Sequence, residues 1–247
     1  MARALADAAD GTGITHAKVL LHRELAPAVS LVRLASEDPE FSWLPGQHAK
    51  LAPVSVSGEG TAAVPFSIAS APDPRAPGEF ELAVSHNAGE PLLRALELGG
   101  TVEVSRARGS FTWKSHPDTT LLIGMGTGIA PLRAMLQAAL AADVQRVLLL
   151  YGARTRDKLL FGTELAELAN QRRAQFRFEP TLTQPGNDWD GRRGRVQEHL
   201  GPLVEHQLRG QLRVYACGTK TMVDGVIARL GELGIDPKQI ASEAHGD

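Results

Sequence analysis

The chain has 247 residues, 43% hydrophobic and 22% charged, with a formal net charge of -2. That length allows one large domain or two ordinary ones, and a near-neutral balance without a Lys/Arg-rich block gives no footing for nucleic acid. A single cysteine excludes an internal disulfide and a cysteine-ligated iron–sulfur cluster, and no apolar run reaches membrane-spanning length.

The first stretch, Met1–Gly13, is alanine-rich without the basic-then-apolar order of a signal peptide, so the expected location is the cytoplasm. Short strands broken by Pro, Gly and Ser follow: His16–Arg23, Val29–Ala35, Gln47–Pro53, Val64–Ala69, Phe80–Ser85 and Thr101–Ser105. Their spacing predicts an antiparallel six-stranded β-barrel over residues 14–114. Ser57–Ala63 and the proline-rich Ser70–Gly78 read as surface loops, and Pro91–Leu98 has helical spacing suited to capping one end of the barrel.

After about Lys114 strands and helices alternate. Strands are expected at Thr120–Ile123, Arg146–Tyr151, Phe176–Leu182 and Gln211–Ala216. Helices are expected at Pro131–Ala142, Gly162–Arg173 and Lys220–Leu233, with another starting at Val196–Leu200. This order predicts a doubly wound parallel sheet, covered on both faces, over residues 115–247.

Between the first of these strands and its helix lies Gly124-Met125-Gly126-Thr127-Gly128. Glycines at a strand's carboxyl end let backbone N–H groups approach a phosphate-bearing ligand, although the glycines alone also fit a plain tight connection. No Lys-Ser/Thr follows, which excludes a P-loop, and the spacing differs from the Rossmann G-x-G-x-x-G. The eight histidines show no metal-ligand spacing with one another, and no G-x-S-x-G elbow is present. The pairs Arg172-Arg173 and Arg192-Arg193 read as solvated surface.

Several short segments in order carry a specific likeness. They are Pro45-Gly46-Gln47, Pro65-Phe66-Ser67-Ile68-Ala69-Ser70, Gly126-Thr127-Gly128-Ile129-Ala130-Pro131, Tyr151-Gly152-Ala153-Arg154, Trp189-Asp190-Gly191-Arg192, Gly194-Arg195-Val196 and Cys217-Gly218 with Met222. With Glu243 they resemble the ferredoxin–NADP reductase superfamily, in a stand-alone form without a fused iron–sulfur domain, over roughly residues 14–246.

The resemblance implies a flavin on the barrel, FAD with FMN an open alternative, and a nicotinamide dinucleotide on the second domain. It implies that Phe66 lays its ring against the flavin and that Ser67 donates to the flavin nitrogen that takes hydride, with Pro65, Val84 and Gly89 completing that set. Gly126, Thr127 and Gly128 would cradle the pyrophosphate. Cys217, Gly218 and Met222 would lie at the nicotinamide, while Arg154, Thr183 and Gln184 fall at the end that distinguishes the 2′-phosphate. Ser67, Cys217 and Glu243 are the implied catalytic residues.

Departures from the family pattern accompany the likeness. Val64 replaces an arginine that pairs with the flavin pyrophosphate, a loss of roughly 1.5–3 kcal/mol, or about ten- to a hundredfold in affinity. Leu92 stands where a small hydroxyl residue is usual, Thr219 replaces a proline, and His245 replaces an aromatic, which either leaves the flavin face open or sets His245 stacking in its place. No basic residue follows Thr183, where Gln184 and Pro185 stand, so NADH is expected over NADPH; Arg154, Arg156, Arg192 and Arg193 are the other sources of positive charge.

The implied function is a flavin-dependent NAD(P)H oxidoreductase passing electrons to a protein such as a ferredoxin or an oxygenase. Two alternatives stay open. One is a flavin reductase that releases reduced flavin, and the other is a non-redox nucleotide-binding scaffold with a decayed flavin site.

Overall fold

The computed structural model describes residues 13–54, 62–115, 118–142, 144–207 and 212–245. The readings of Met1–Gly13, Ser57–Ala63 and His116 fall wholly or mostly outside them. Two compact units divide the chain, Met1–Thr112 and Trp113–Asp247.

The first unit holds β1 (Ile14–Ala26), β2 (Val29–Ser36), β3 (His48–Pro53), β4 (Val64–Ser67), β5 (Glu79–Ser85), α1 (Glu90–Ala95) and β6 (Thr101–Ser105). The strands form one antiparallel sheet in the order β4-β3-β6-β1-β2-β5. Ile68 bridges to Leu82, and the Ala69 N–H donates to the Glu81 carbonyl at 2.7 Å, which joins the two edges into a barrel. Closure leaves no open edge to aggregate.

β1 runs further than its apolar pattern suggests because register shifts at Val19/Leu21 and Glu24/Ala26 break the period of two. Such bulges bend a strand, and β1 accordingly pairs with β6 at its start and with β2 along most of its length. Inward residues such as Val32, Leu34, Leu51 and Phe80 fill the barrel, joined by Phe41 and Trp43 from the β2–β3 connection. Leu92 of α1 and the following Leu96 are buried in the same core, so the short helix plugs the barrel as its spacing predicts.

The second unit holds β7 (Thr119–Met125), α2 (Ile129–Ala141), β8 (Arg146–Ala153), α3 (Gly162–Gln171), β9 (Phe176–Leu182), β10 (Arg192–Arg193), α4 (Leu200–Gln207), β11 (Leu212–Thr219), α5 (Lys220–Glu232) and β12 (Ile240–His245). All six strands are parallel, in the order β10-β9-β8-β7-β11-β12. The near-continuous apolar runs of β7 and β8 are those of strands covered on both faces. Pro131 lies in the first turn of α2, where its missing N–H costs no helical bond. Arg133, buried on α2, pairs with Glu164 of α3 at 2.7 Å and lies 4.5 Å over the Phe161 ring.

Two strands were not anticipated. β10 is only two residues long. β12 is an edge strand with no fully buried residue, so its sequence lacks the apolar signal that marks its neighbours. The pair Arg192-Arg193 is also corrected: Arg192 on β10 is ion-paired to Glu179 at 2.7 Å, while the exposed Arg193 donates to the Trp189 carbonyl at 2.8 Å. These arginines hold the β9–β10 connection in place.

Candidate active site

Strand order reverses between β7 and β11: the chain proceeds outward through β8, β9 and β10 on one side and to β12 on the other. Open α/β sheets bind ligands at the carboxyl ends of the strands flanking such a reversal. Gly124–Gly128 leaves β7 there, and Cys217–Thr219 ends β11 beside it, Cys217 lying opposite Gly124 in register.

The three glycines of the turn meet different constraints. A Cβ on Gly124 would come within 2.9 Å of Leu132. Gly126 has a φ of +56° and open space where a Cβ would lie. A Cβ on Gly128 would overlap the Cys217 carbonyl oxygen and come within 2.8 Å of the Gly218 nitrogen, so its bare backbone lets α2 begin against β11. Thr127, between them, is exposed. Tyr151 of β8 fixes this turn from beneath. Its hydroxyl donates to the Gly126 carbonyl at 3.0 Å and accepts the Leu160 N–H at 3.3 Å, and complete burial raises its phenol pKa.

Next to the turn a cleft of about 340 Å³ opens across the ends of β7, β8, β9 and the start of α5. Arg154, Thr183, Gln184 and Met222 line it, and Arg154 Nε donates to Gln184 Oε1 at 2.7 Å. Met125, Arg195, Val196, Gln197, Thr219 and Thr221 line it as well, and sequence reasoning gave none of them a place in the site. The segment Gly194-Arg195-Val196 was legible as a motif, but its role emerges only from the fold. Gly194 has a φ of +101°, and its carbonyl accepts from Thr181 Oγ1 at 2.8 Å, which turns the chain back over the strand ends. Thr219, in the place of a proline, caps α5 by accepting the Met222 N–H.

Beside the glycine turn, β11 and β12 bring three polar side chains together. Cys217 is paired with Glu243 and Thr219 with His245. Cys217 is fully buried, with its Sγ 3.2 Å from His245 Nε2. Burial, then the neighbouring Glu243 carboxyl, pushes the thiol pKa well up, and burial raises that of Glu243. Glu243 Oε2 is buried without a hydrogen-bond partner among the described residues.

In the barrel unit, alternation along β4 turns Val64 and Phe66 toward the core and Pro65 and Ser67 away from it. Phe66 is 8% exposed, and Ser67 is half-buried at the strand end. Val84 is fully buried among core residues, so its side chain is a packing element and offers no surface to a ligand. Leu92 is likewise in the core, where a hydroxyl would be desolvated; its place opposite the family's hydroxyl has a packing reason. Gly89 has a φ of +93° with open space around it. These features fit a nucleotide on the glycine turn of the second unit, and a flavin at the Ser67 end of β4 rather than at Val84.

Residues 122–227 match the family described as the oxidoreductase NAD-binding domain. Ferredoxin–NADP reductase B of Sorangium cellulosum is 36% identical over 244 residues, covering 93% of this chain and 96% of that protein. The electron transfer component of xylene/toluene monooxygenase from Pseudomonas putida is 28% identical over 204 residues, 80% of this chain, which spans 56% of that protein. Among solved structures, the CS-b5R domains of human Ncb5or in the NAD+ form superpose with a TM-score of 0.81 at 20% identity, over 95% of this chain and 70% of theirs.

A glycine-rich turn at the reversal of a parallel sheet, within a segment that matches an NAD-binding domain and after an antiparallel barrel, defines the class as a two-unit oxidoreductase. The chain belongs to the ferredoxin–NADP reductase superfamily of flavin-dependent NAD(P)H oxidoreductases. Among the described residues no helix is long and apolar enough to cross a membrane.

Proposed function

We propose that the protein takes hydride from NADH, in preference to NADPH, onto FAD and passes the electrons to a separate protein of the ferredoxin or oxygenase class. The observation that carries the cofactor choice is the cleft mouth: Gln184 stands beside Thr183, and its side-chain oxygen engages Arg154 Nε at 2.7 Å. A 2′-phosphate there meets the neutral Gln184 amide where a second cation would stand, and the Arg154 Nε–H is already given to that amide.

The dinucleotide pyrophosphate lies on Gly126–Gly128 at the start of α2, where backbone N–H groups and the helix dipole favour an anion. Cys217 and Glu243 line the nicotinamide end. Burial raises the pKa of both, and that of the Cys217 thiol strongly. Ser67 meets the flavin ring at the end of β4, and Phe66, turned into the barrel core, supports that strand from behind. When bound, FAD supplies the conversion of a two-electron donor into single electrons; the chain supplies positioning and exclusion of water.

Release of free reduced flavin is the second reading, and Val64 favours it. The side chain packs against the barrel core and leaves no guanidinium for a flavin pyrophosphate. Dialysis followed by visible absorbance separates the two, with retained flavin expected for the electron carrier. Steady-state ferricyanide reduction tests the nucleotide preference. The kcat/KM for NADH should exceed that for NADPH by about tenfold, equivalent to ~1.4 kcal/mol, and parity or reversal would overturn the assignment.

A further inference from the structure

We propose that Cys217, Glu243 and His245 form a binding site for a thiophilic divalent cation, Zn2+ by its chemistry, and that its occupation blocks turnover. The second half rests on the placement of nicotinamide at Cys217 given above.

Sheet geometry gathers the three donors. Glu243 and His245 are two residues apart on β12, and side chains two apart on a strand share a face. Cys217 is the register partner of Glu243 on the neighbouring parallel strand, so its side chain joins that face. Sγ of Cys217 and Nε2 of His245 are 3.2 Å apart, and one donor atom from each of the three residues lies within 4.8 Å of the others. Zinc takes sulfur at ~2.3 Å and nitrogen or oxygen at ~2.0–2.2 Å in a tetrahedron, which sets its ligands about 3.3–3.8 Å from one another. Small side-chain rotations close that gap without moving the strands.

The donor set selects the metal. One thiolate, one imidazole and one carboxylate suit zinc, and they leave its fourth position for water. Calcium and magnesium need more oxygens than this cluster offers.

The site also meets a local electrostatic need. Glu243 Oε2 is buried without a partner among the described residues, and the Cys217 thiol lies fully buried beside it. A dication bound to Sγ displaces the thiol proton to solvent. The S–H bond breaks, an S–Zn bond forms, and no electron changes hands. The metal then neutralises the thiolate and gives the carboxylate its missing contact. It would also occupy the carboxyl ends of β11 and β12, where the nicotinamide ring is placed.

Tag-free reduced protein in chelator-washed buffer, titrated with Co2+ alone as the optical probe, tests the site. The expected result is one Co2+ per chain, with a thiolate-to-cobalt absorption band in the near ultraviolet and visible bands of tetrahedral intensity. Zn2+ should displace the Co2+. Cys217→Ser should abolish the near-ultraviolet band, and His245→Phe should weaken binding by about tenfold or more. Absence of the thiolate band, or cobalt binding unchanged in Cys217→Ser, would overturn the site. In the turnover arm, Zn2+ should inhibit NADH oxidation, and a chelator should restore it. Bound metal without inhibition would overturn the blocking role. Failure of the metal-free protein to oxidise NADH would instead contradict the functional reading, and the cobalt spectrum would still judge the metal site.

Discussion

A methyl group added at Gly128 would run into the backbone of Cys217 and Gly218, whereas one added at Gly126 would enter open space on a strained φ of +56°. The two substitutions should therefore fail differently. Gly128→Ala forces α2 away from β11 and should cost about 1–3 kcal/mol or more of stability, read as a lowered Tm. Gly126→Ala should cost only ~1–2 kcal/mol of left-handed strain, yet it narrows the surface offered to a pyrophosphate. It should raise KM for NADH more than it lowers Tm; equal Tm losses would refute the distinction.

Glu243 carries a pH signature at the same scale. Burial raises its carboxyl pKa in the folded chain, so the folded state keeps its proton to higher pH than the unfolded state does. Stability then falls as pH rises from the ordinary carboxylate range through the folded pKa, and below that range both states are protonated and nothing is lost. Glu243→Gln should thus raise Tm relative to the natural chain at about pH 8, with the gain vanishing near pH 4, where the reference carboxylate is itself half-protonated. Thermal melts across that range decide it, and a gain independent of pH would contradict the burial argument.

At the scale of elements, β8 serves the site from beneath. Tyr151, fully buried, ties the Gly126 carbonyl to the Leu160 N–H. Tyr151→Phe leaves both groups without that partner, at a cost of about 1–3 kcal/mol. We expect a folded variant with KM for NADH raised several-fold and kcat little changed; a drop in kcat at constant KM would argue against a positioning role for the hydroxyl. The elements also show where sequence is informative. β7 and β8 were legible because strands covered on both faces must be apolar throughout. β12 was not: it is a half-exposed edge strand, and its alignment of Glu243 and His245 with Cys217 and Thr219 comes from pairing. The first two glycine constraints follow from turn chemistry and local packing, while that of Gly128 depends on a strand 89 residues further on, counted from Gly128 to Cys217.

For the molecule as a whole, alternation and turn residues sufficed to distinguish an antiparallel barrel from a doubly wound sheet, because each architecture imposes its own period. Side-chain roles within the barrel were less legible. Val84 and Leu92 sit at positions that motif spacing assigns to a cofactor, and both prove to be core. Spacing along a chain does not say which face of an element carries a residue when neighbouring positions are equally apolar. The cleft beside the glycine turn shows the complementary gap. Arg195 and Gln197 reach it from one segment and Thr221 from another, and only the strand order brings them together.

Central to the proposed function is a pyridine nucleotide delivering its electron pair to a flavin held by this chain. Anaerobic titration of the FAD-loaded protein with NADH, followed by visible flavin absorbance, tests that directly. One equivalent of NADH should bleach one equivalent of flavin, and Gly126→Ala should require a higher NADH concentration for the same bleaching. A protein that takes up no flavin, or a bound flavin that stays yellow under excess NADH, would contradict the assignment.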